Sequence, residues 1–137
     1  MTGANILRKR NVWLGLAWLW VAVVIYLSLT TISIPTVISW QDKAGHIGLY
    51  AILMWWFMQL YHKRHYWIIA LGLLLLGAAL EFGQSFHPMR HMDYHDMIAN
   101  GAGVLLGWMT VHTPLSRALW NTERWWLGQD NQEETNG

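Results

Sequence analysis

Polar side chains that can do chemistry recur at helical spacing in an otherwise apolar chain. Asp42, His46 and Tyr50 follow one another at four-residue steps, and Asp96 and Asn100 have the same spacing further along. Such steps place side chains on one face of a helix. A carboxylate beside an imidazole can act as a general acid or base, bind a cation, or form a salt bridge that fixes how two helices pack.

The other polar candidates lie next to these two groups of residues in the sequence or, in the case of Glu81 and Gln84, between them. The complete set of candidate binding residues is Asp42, Lys43, His46, Tyr50, Glu81, Gln84, Arg90, Asp93, Asp96 and Asn100. Within the set, Glu81, His46 and Asp96 are the candidates for catalysis, because burial and neighbouring charges tune carboxyl and imidazole groups for proton transfer. No nucleophile accompanies them, since a lone hydroxyl such as Ser85 is more often a packing residue.

Histidines close to Asp93 raise the question of a metal site. His91 and His95 are one helical turn apart, and imidazole together with carboxylate suits zinc or a similar ion. However, no HExxH-type motif fixes the geometry. We therefore favour a solvated interfacial loop, expect no cofactor, and keep His91 and His95 as the candidate metal ligands.

The composition indicates that the elements holding these residues lie in a membrane. Hydrophobic residues make up 54% of the 137 residues and charged residues 12%, whereas about 25% is typical of a soluble domain. The eleven Trp residues support this interpretation, because indole rings favour membrane interfaces. Cysteine is absent, which excludes disulfides and thiolate chemistry.

Four apolar runs are long enough to cross the hydrocarbon core of a bilayer. We predict transmembrane helices at about 12–30, 45–61, 66–85 and 94–112, since roughly 20 helical residues span that core. An interfacial helix at 113–128 and a disordered tail at 129–137 follow them. The predicted fold class is therefore all-α, a polytopic membrane protein with a single domain over residues 1–137.

The distribution of Lys and Arg predicts the orientation. With four spans both termini lie on one side, and that side holds seven of the nine cationic residues. Because cytoplasmic loops are rich in Lys and Arg, we predict cytoplasmic termini. The polar candidates then converge at the outward-facing end. Ala99, Gly103 and Gly107 form a small-residue stripe that we expect to face the interior of the bundle.

These motifs resemble the VanZ-like family of bacterial membrane proteins over roughly residues 40–110. The residues that carry the resemblance are Asp42, Lys43, His46, Tyr50, Glu81, Gln84, Arg90, Asp96, Asn100, Gly103 and Gly107. Asp93 stands where relatives often carry a small hydroxyl residue, and His91 and His95 lie outside the family pattern. The resemblance implies a multi-pass protein of the bacterial cytoplasmic (inner) membrane that acts at the cell envelope. The family is linked to glycopeptide resistance, in particular to teicoplanin, without an established biochemical mechanism.

We predict that the polar residues form an outward-facing pocket for an amphiphilic or cell-wall-related ligand. Arg90 and Lys43 suit a phosphate or carboxylate of such a ligand. Two alternatives stay open: a membrane enzyme that uses Glu81, His46 and Asp96 on a lipid-linked substrate, and a salt-bridge network without a ligand. Ion transport is disfavoured, because the cytoplasmic halves of the second and third spans have no polar chain.

The predicted partners follow from the same features. The bilayer surrounds the spans, and a cell-wall precursor or another amphiphile is the candidate ligand. We expect no nucleic-acid binding, because the basic residues are divided between short loops and form no extended patch. The sequence is also compatible with an oligomer.

Overall fold

The fold is entirely helical within the part of the chain that the computed structural model describes, residues 7–30, 39–86 and 94–136. Its helices are α1 (Arg10–Leu29), α2 (Ser39–Leu60), α3 (Tyr66–Gln84), α4 (Tyr94–Met109) and α5 (Ala118–Asn136). Short 3₁₀ turns occupy Lys63–His65, Thr110–His112 and Pro114–Arg117. The predicted all-α class is confirmed.

The predicted and observed helix bounds agree best where charged residues flank an apolar run. The third helix was expected at 66–85 and is Tyr66–Gln84. The second helix starts at Ser39, six residues before its predicted start at 45. Polar residues at the beginning of α2 resemble a linker in the sequence, but they belong to its first turns. The 3₁₀ turn after α4 carries that helical segment to His112, the predicted end of the fourth span.

The C-terminal segment differs from the expectation. Residues 129–137 were expected to be disordered, whereas the backbone of α5 is helical from Ala118 to Asn136. Gln and Glu, which are frequent after Gly128, are good helix formers, so local propensity extends the helix although the segment has little apolar surface to bury.

Helices α1 to α4 run in alternating directions. At one end of the bundle, Arg10 of α1 donates its Nε–H to the carbonyl of Leu60 at the end of α2, at 3.2 Å. At the other end, the Gln84 amide of α3 donates to the carbonyl of Ser28 near the end of α1. Hydrogen bonds between the first turns of α2 and α4 complete the pattern. The starts of α2 and α4 therefore share one end of the bundle with the ends of α1 and α3.

Helix α2 is the centre of the bundle. It packs against α1, α3 and α4, and its contact with α4 is the most extensive. Gly103 and Gly107 make this contact close: a Cβ atom at Gly103 would overlap the carbonyl of Ile47, and one at Gly107 would overlap that of Ala51. The small-residue stripe thus faces the interior, as its spacing predicts.

Large apolar side chains cover the outside of the bundle. Leu19 of α1, Leu75 of α3 and Leu105 of α4 are 60%, 62% and 61% exposed. Among the described side chains of α2, by contrast, Ile52 is the one exposed large hydrophobic residue. An apolar exterior of this extent suits lipid rather than water as its surroundings.

Two described segments are long and apolar enough to cross a membrane, Arg10–Leu29 and Lys63–Gln84. Helix α2 opens with polar residues, and α4 has 16 residues. The polar start of α2 and the short length of α4 distinguish these helices from the two long apolar segments. Two of the four predicted spans therefore have the length and composition of a membrane-crossing helix.

Candidate functional site

The first turns of α2 and α4 lie side by side and hold a group of cross-linked polar side chains. The Lys43 ammonium donates to Asp96 Oδ1 at 3.3 Å. His46 Nδ1 lies 3.0 Å from Asn100 Oδ1, and His46 Nε2 lies 3.8 Å from Asp96 Oδ2. The four-residue steps in both helices thus place two layers of polar contacts, one helical turn apart, between the same pair of helices.

His46 is the bridge between the two layers. The Asn100 oxygen can only accept a hydrogen bond, so the short contact assigns the donor role to Nδ1–H. Nε2 then faces the Asp96 carboxylate. This arrangement orients the imidazole between α2 and α4.

A third layer lies one turn deeper, where α3 approaches α2 and α4. Tyr50 is 1% exposed, and its hydroxyl has no hydrogen-bond partner among the described residues. A Cβ atom on Gly77 would lie 2.8 Å from Asn100 Nδ2 and 3.2 Å from Tyr50 Oη. Gly77 therefore leaves the space in which the amide and the hydroxyl sit.

Glu81 brings a second carboxylate to this group from α3. It is 3% exposed and stands one turn from Gly77, towards the end of the bundle that holds Lys43. Gly77 packs against Asn100 and Tyr50, so Glu81 lies on the side of α3 that faces these two residues. We call the six residues joined in this way the polar cluster: Lys43, His46, Tyr50, Glu81, Asp96 and Asn100.

The remaining candidate Gln84 has a different role. Its side-chain amide donates to the backbone carbonyl of Ser28, so it connects α3 to the last turn of α1. Gln84 thereby supplies a side-chain donor to a carbonyl near the end of α1. Gln84 is buried at the helix interface rather than joined to the polar cluster by any hydrogen bond shown for it.

Several predicted residues lie outside the described part of the structure. Arg90, His91 and Asp93 precede α4 and fall in the gap between residues 86 and 94. The backbone of Asp42 belongs to α2, but its side chain is not among those described. His95, the second candidate metal ligand, is exposed on α4. Among the described residues, no group of three or more His, Asp and Glu side chains is suited to holding a metal ion.

The sequence did not reveal a buried carboxylate at the opposite end of the bundle. Glu123 of α5 is 3% exposed and accepts hydrogen bonds from the backbone N–H groups of Arg8 and Lys9. Lys9 also places its ammonium 4.0 Å from the ring centre of Trp126. The signal that could have pointed to this contact is the start of α1, which has no side-chain cap and no acidic residue in its first turn.

Comparison with known proteins assigns the family. The model of the VanZ/LLP1 family matches residues 8–115, which include α1 to α4 and the whole described polar cluster. The chain belongs to the VanZ/LLP1 family. No curated protein and no solved structure matches it. VanZ/LLP1 membership and the two long apolar helices together indicate a membrane protein, and α5 lies beyond the matched region.

Proposed function

We propose that this VanZ/LLP1 protein is a multi-pass protein of the bacterial cytoplasmic (inner) membrane that binds an amphiphilic, cell-wall-related ligand at its outward-facing end. The observation that carries the proposal is the polar cluster itself. Ionisable groups are costly at membrane depth, and those that occur there are by default functional. Here two carboxylates, an ammonium and an imidazole gather between α2, α3 and α4, in a bundle whose outer surface is apolar.

Four spans account for the exposed surface better than two. Helices α1, α3 and α4 all expose large apolar side chains, and these three helices surround α2. A central helix needs no lipid-facing surface, so its polar first turns do not argue against a transmembrane position. Residues 94–112, with 16 α-helical and three 3₁₀ residues, rise about 30 Å, which matches the hydrocarbon core.

The orientation follows from the charges at the two ends. The end opposite the polar cluster carries Arg8, Lys9, Arg10, Lys63, Arg64, Arg117 and Arg124. Because cytoplasmic loops are enriched in Lys and Arg, this end is cytoplasmic, and both termini lie on that side. The polar cluster then faces the cell-wall side of the membrane.

The chemistry of the cluster favours a ligand with a charged or hydroxylated head. Lys43 is 27% exposed, so its ammonium is the part of the described cluster most accessible to a phosphate or carboxylate. Tyr50, deeper in the bundle, has a buried hydroxyl without a hydrogen-bond partner among the described residues, which a polar group of a ligand that enters the cluster would satisfy. A lipid-linked cell-wall precursor combines such a head with a long hydrocarbon chain that the apolar exterior can accept. The family's link to teicoplanin resistance points to the same compartment.

Native mass spectrometry of the protein released from its own membrane tests the proposal. We expect a co-purifying ligand in the wild-type protein and its loss in Asp96→Asn, which removes one charge with little change in shape. Glu133→Gln is the matched control, because it removes a carboxylate charge outside the family-matched region, and it should retain the ligand.

The same measurement separates the alternatives. If the Asp96→Asn variant keeps its fold and its full ligand complement, the cluster is a structural network that fixes helix register. Conversion of labelled cell-wall lipid precursors by the purified protein, abolished by Glu81→Gln, would instead indicate catalysis.

A further inference from the structure

The end of the bundle opposite the polar cluster is strongly cationic. Of its seven Lys and Arg residues, all except Lys9 are exposed. Glu123 is the one carboxylate among the described side chains at this end, and it is buried. The next acidic residue after Glu123 in the sequence is Asp130, so the cationic part of α5 ends near Gly128. A surface of this kind is complementary to an anionic partner.

Contacts on one side of α5 fix how the helix is rotated. Leu119 and Glu123 are one turn apart and are both buried, with 5% and 3% exposure. The Leu119 N–H donates to the Gln59 side chain of α2 at 2.8 Å. On the opposite side lies what we call the α5 outer face. It comprises the exposed residues Arg124 and Trp125 of α5 and the exposed Arg117 at the end of the 3₁₀ turn that leads into the helix.

The α5 outer face combines aromatic and cationic side chains. Trp125 is 67% exposed, although indole rings are rarely left in water. The Arg124 guanidinium stacks over the Trp120 ring at 4.6 Å. Stacking holds the planar guanidinium in place and leaves its N–H donors free to bind within the plane. Indole with guanidinium is the pairing found at the headgroup level of membranes.

We propose that the α5 outer face is a binding surface for the anionic phosphate headgroups of phospholipids in the leaflet at the termini. This inference rests on the multi-pass membrane placement proposed above. Arg117 and Arg124 each offer bidentate hydrogen bonds to a phosphate, and Trp125 inserts at the level of the headgroups. Because Glu123 and Gln59 fix the rotation of α5, this face is presented without further ordering of the helix.

The test uses the full chain, purified in detergent and incubated with equimolar phosphatidylglycerol and phosphatidylethanolamine. Native mass spectrometry measures the ratio of the two lipids retained. We expect the wild-type protein to prefer phosphatidylglycerol. Each cationic residue near an anionic surface raises the binding affinity roughly fivefold. The Arg117→Gln, Arg124→Gln double variant should therefore lose the preference by about tenfold, allowing for screening.

The matched control is the Lys63→Gln, Arg64→Gln double variant, which removes the same charge from the same end of the bundle but leaves α5 unchanged. We expect its lipid preference to change less than twofold. Equal losses in the two double variants would mean that diffuse charge, and not the α5 outer face, attracts the lipid. Equal retention of both lipids by the wild-type protein would also overturn the inference.

Two further measurements separate this inference from the membrane placement on which it rests. Flotation of each variant with liposomes tests membrane insertion, and a protein that does not float contradicts the placement itself. A salt series on the wild-type protein needs no substitution. The phosphatidylglycerol preference should fall as NaCl rises from about 0.05 to 0.5 M, and a preference independent of salt would argue against an electrostatic headgroup site.

Discussion

The Lys43 ammonium and the Asp96 carboxylate are 3.3 Å apart and join the second turn of α2 to the first turn of α4. Their side chains are 27% and 11% exposed, so water screens this pair only in part. Removing one partner takes away a charge–charge contact of the other at the interface between two helices. The pair therefore contributes to helix pairing as well as to the proposed site.

A double-mutant cycle measures this contribution. Lys43→Met and Asp96→Asn should each lower the free energy of unfolding, and the double variant should lose less than the sum of the two. The expected coupling is about 0.5–2 kcal/mol, because polar pairs within membrane bundles are modest in strength. Reversible unfolding in mixed micelles provides the four values. A coupling of zero would show that the two groups are neighbours without an energetic interaction.

The contact between His46 and Asn100 predicts which imidazole nitrogen carries the proton. With Asn100 Oδ1 at 3.0 Å, neutral His46 holds its hydrogen on Nδ1. Nitrogen-15 NMR of labelled histidines should show the Nδ1–H tautomer in the wild-type protein, with His46→Gln identifying the signal. Asn100→Ala removes the acceptor, so the population should shift towards Nε2–H, which faces Asp96.

Asn121→Ala is the control for the tautomer experiment. It makes the same change at an exposed position of α5, remote from His46, and should leave the His46 signal unchanged. If His46 is already an Nε2–H tautomer in the wild-type protein, the Asn100 amide is oriented the other way and donates to the ring.

Two glycines of α3 should respond to alanine in opposite directions. A Cβ atom at Gly77 would lie 2.8 Å from Asn100 Nδ2, whereas one at Gly72 would meet nothing within 4 Å. Gly77→Ala should therefore destabilise the protein by about 1–3 kcal/mol through overpacking. Gly72→Ala should stabilise it by up to about 1 kcal/mol through helix propensity. Thermal unfolding of both variants, monitored by circular dichroism, is sufficient, and stabilisation by Gly77→Ala would contradict the packing at Tyr50 and Asn100.

Features that repeat along the chain could be predicted from the sequence. Helix α3 was predicted to within a residue at each end because charged and polar residues flank its apolar run. The pairing of Asp96 and Asn100 on one face followed from helical spacing. The inward orientation of Gly103 and Gly107 followed from their small size, which permits close helix contact.

Features that depend on which helices become neighbours could not be predicted. The early start of α2 was missed because polar residues that belong to a helix interface have the composition of a loop. Gln84 was among the candidate binding residues, but its hydrogen bond goes to the Ser28 carbonyl of a different helix. The Glu123 carboxylate binds backbone N–H groups more than 100 residues away in the chain. No periodicity encodes a contact of that kind.

The carboxylate of Glu123 should determine whether the start of α1 is ordered. The first N–H groups of a helix have no partners within it, and α1 lacks a side-chain cap of its own. Glu123 satisfies the N–H groups of Arg8 and Lys9 and places a negative charge at the positive end of the helix dipole. Glu123→Ala should therefore cost about 1–3 kcal/mol, because it removes two hydrogen bonds to a buried carboxylate and leaves part-buried donors unpaired.

Hydrogen–deuterium exchange of peptides from residues 7–15 and 118–128 measures this effect directly. Both regions should exchange faster in Glu123→Ala, by roughly tenfold, because about 1.4 kcal/mol of local stability is a factor of ten in opening. Glu134→Ala makes the same change further along α5 and should leave the rates unchanged. If Glu123→Ala also exchanges at the wild-type rate, the contacts of Lys9 with Trp126 and of Gln59 with Leu119 are enough to hold α5 against the bundle. The rotation that presents Arg117, Arg124 and Trp125 would then be fixed by Gln59 and not by Glu123.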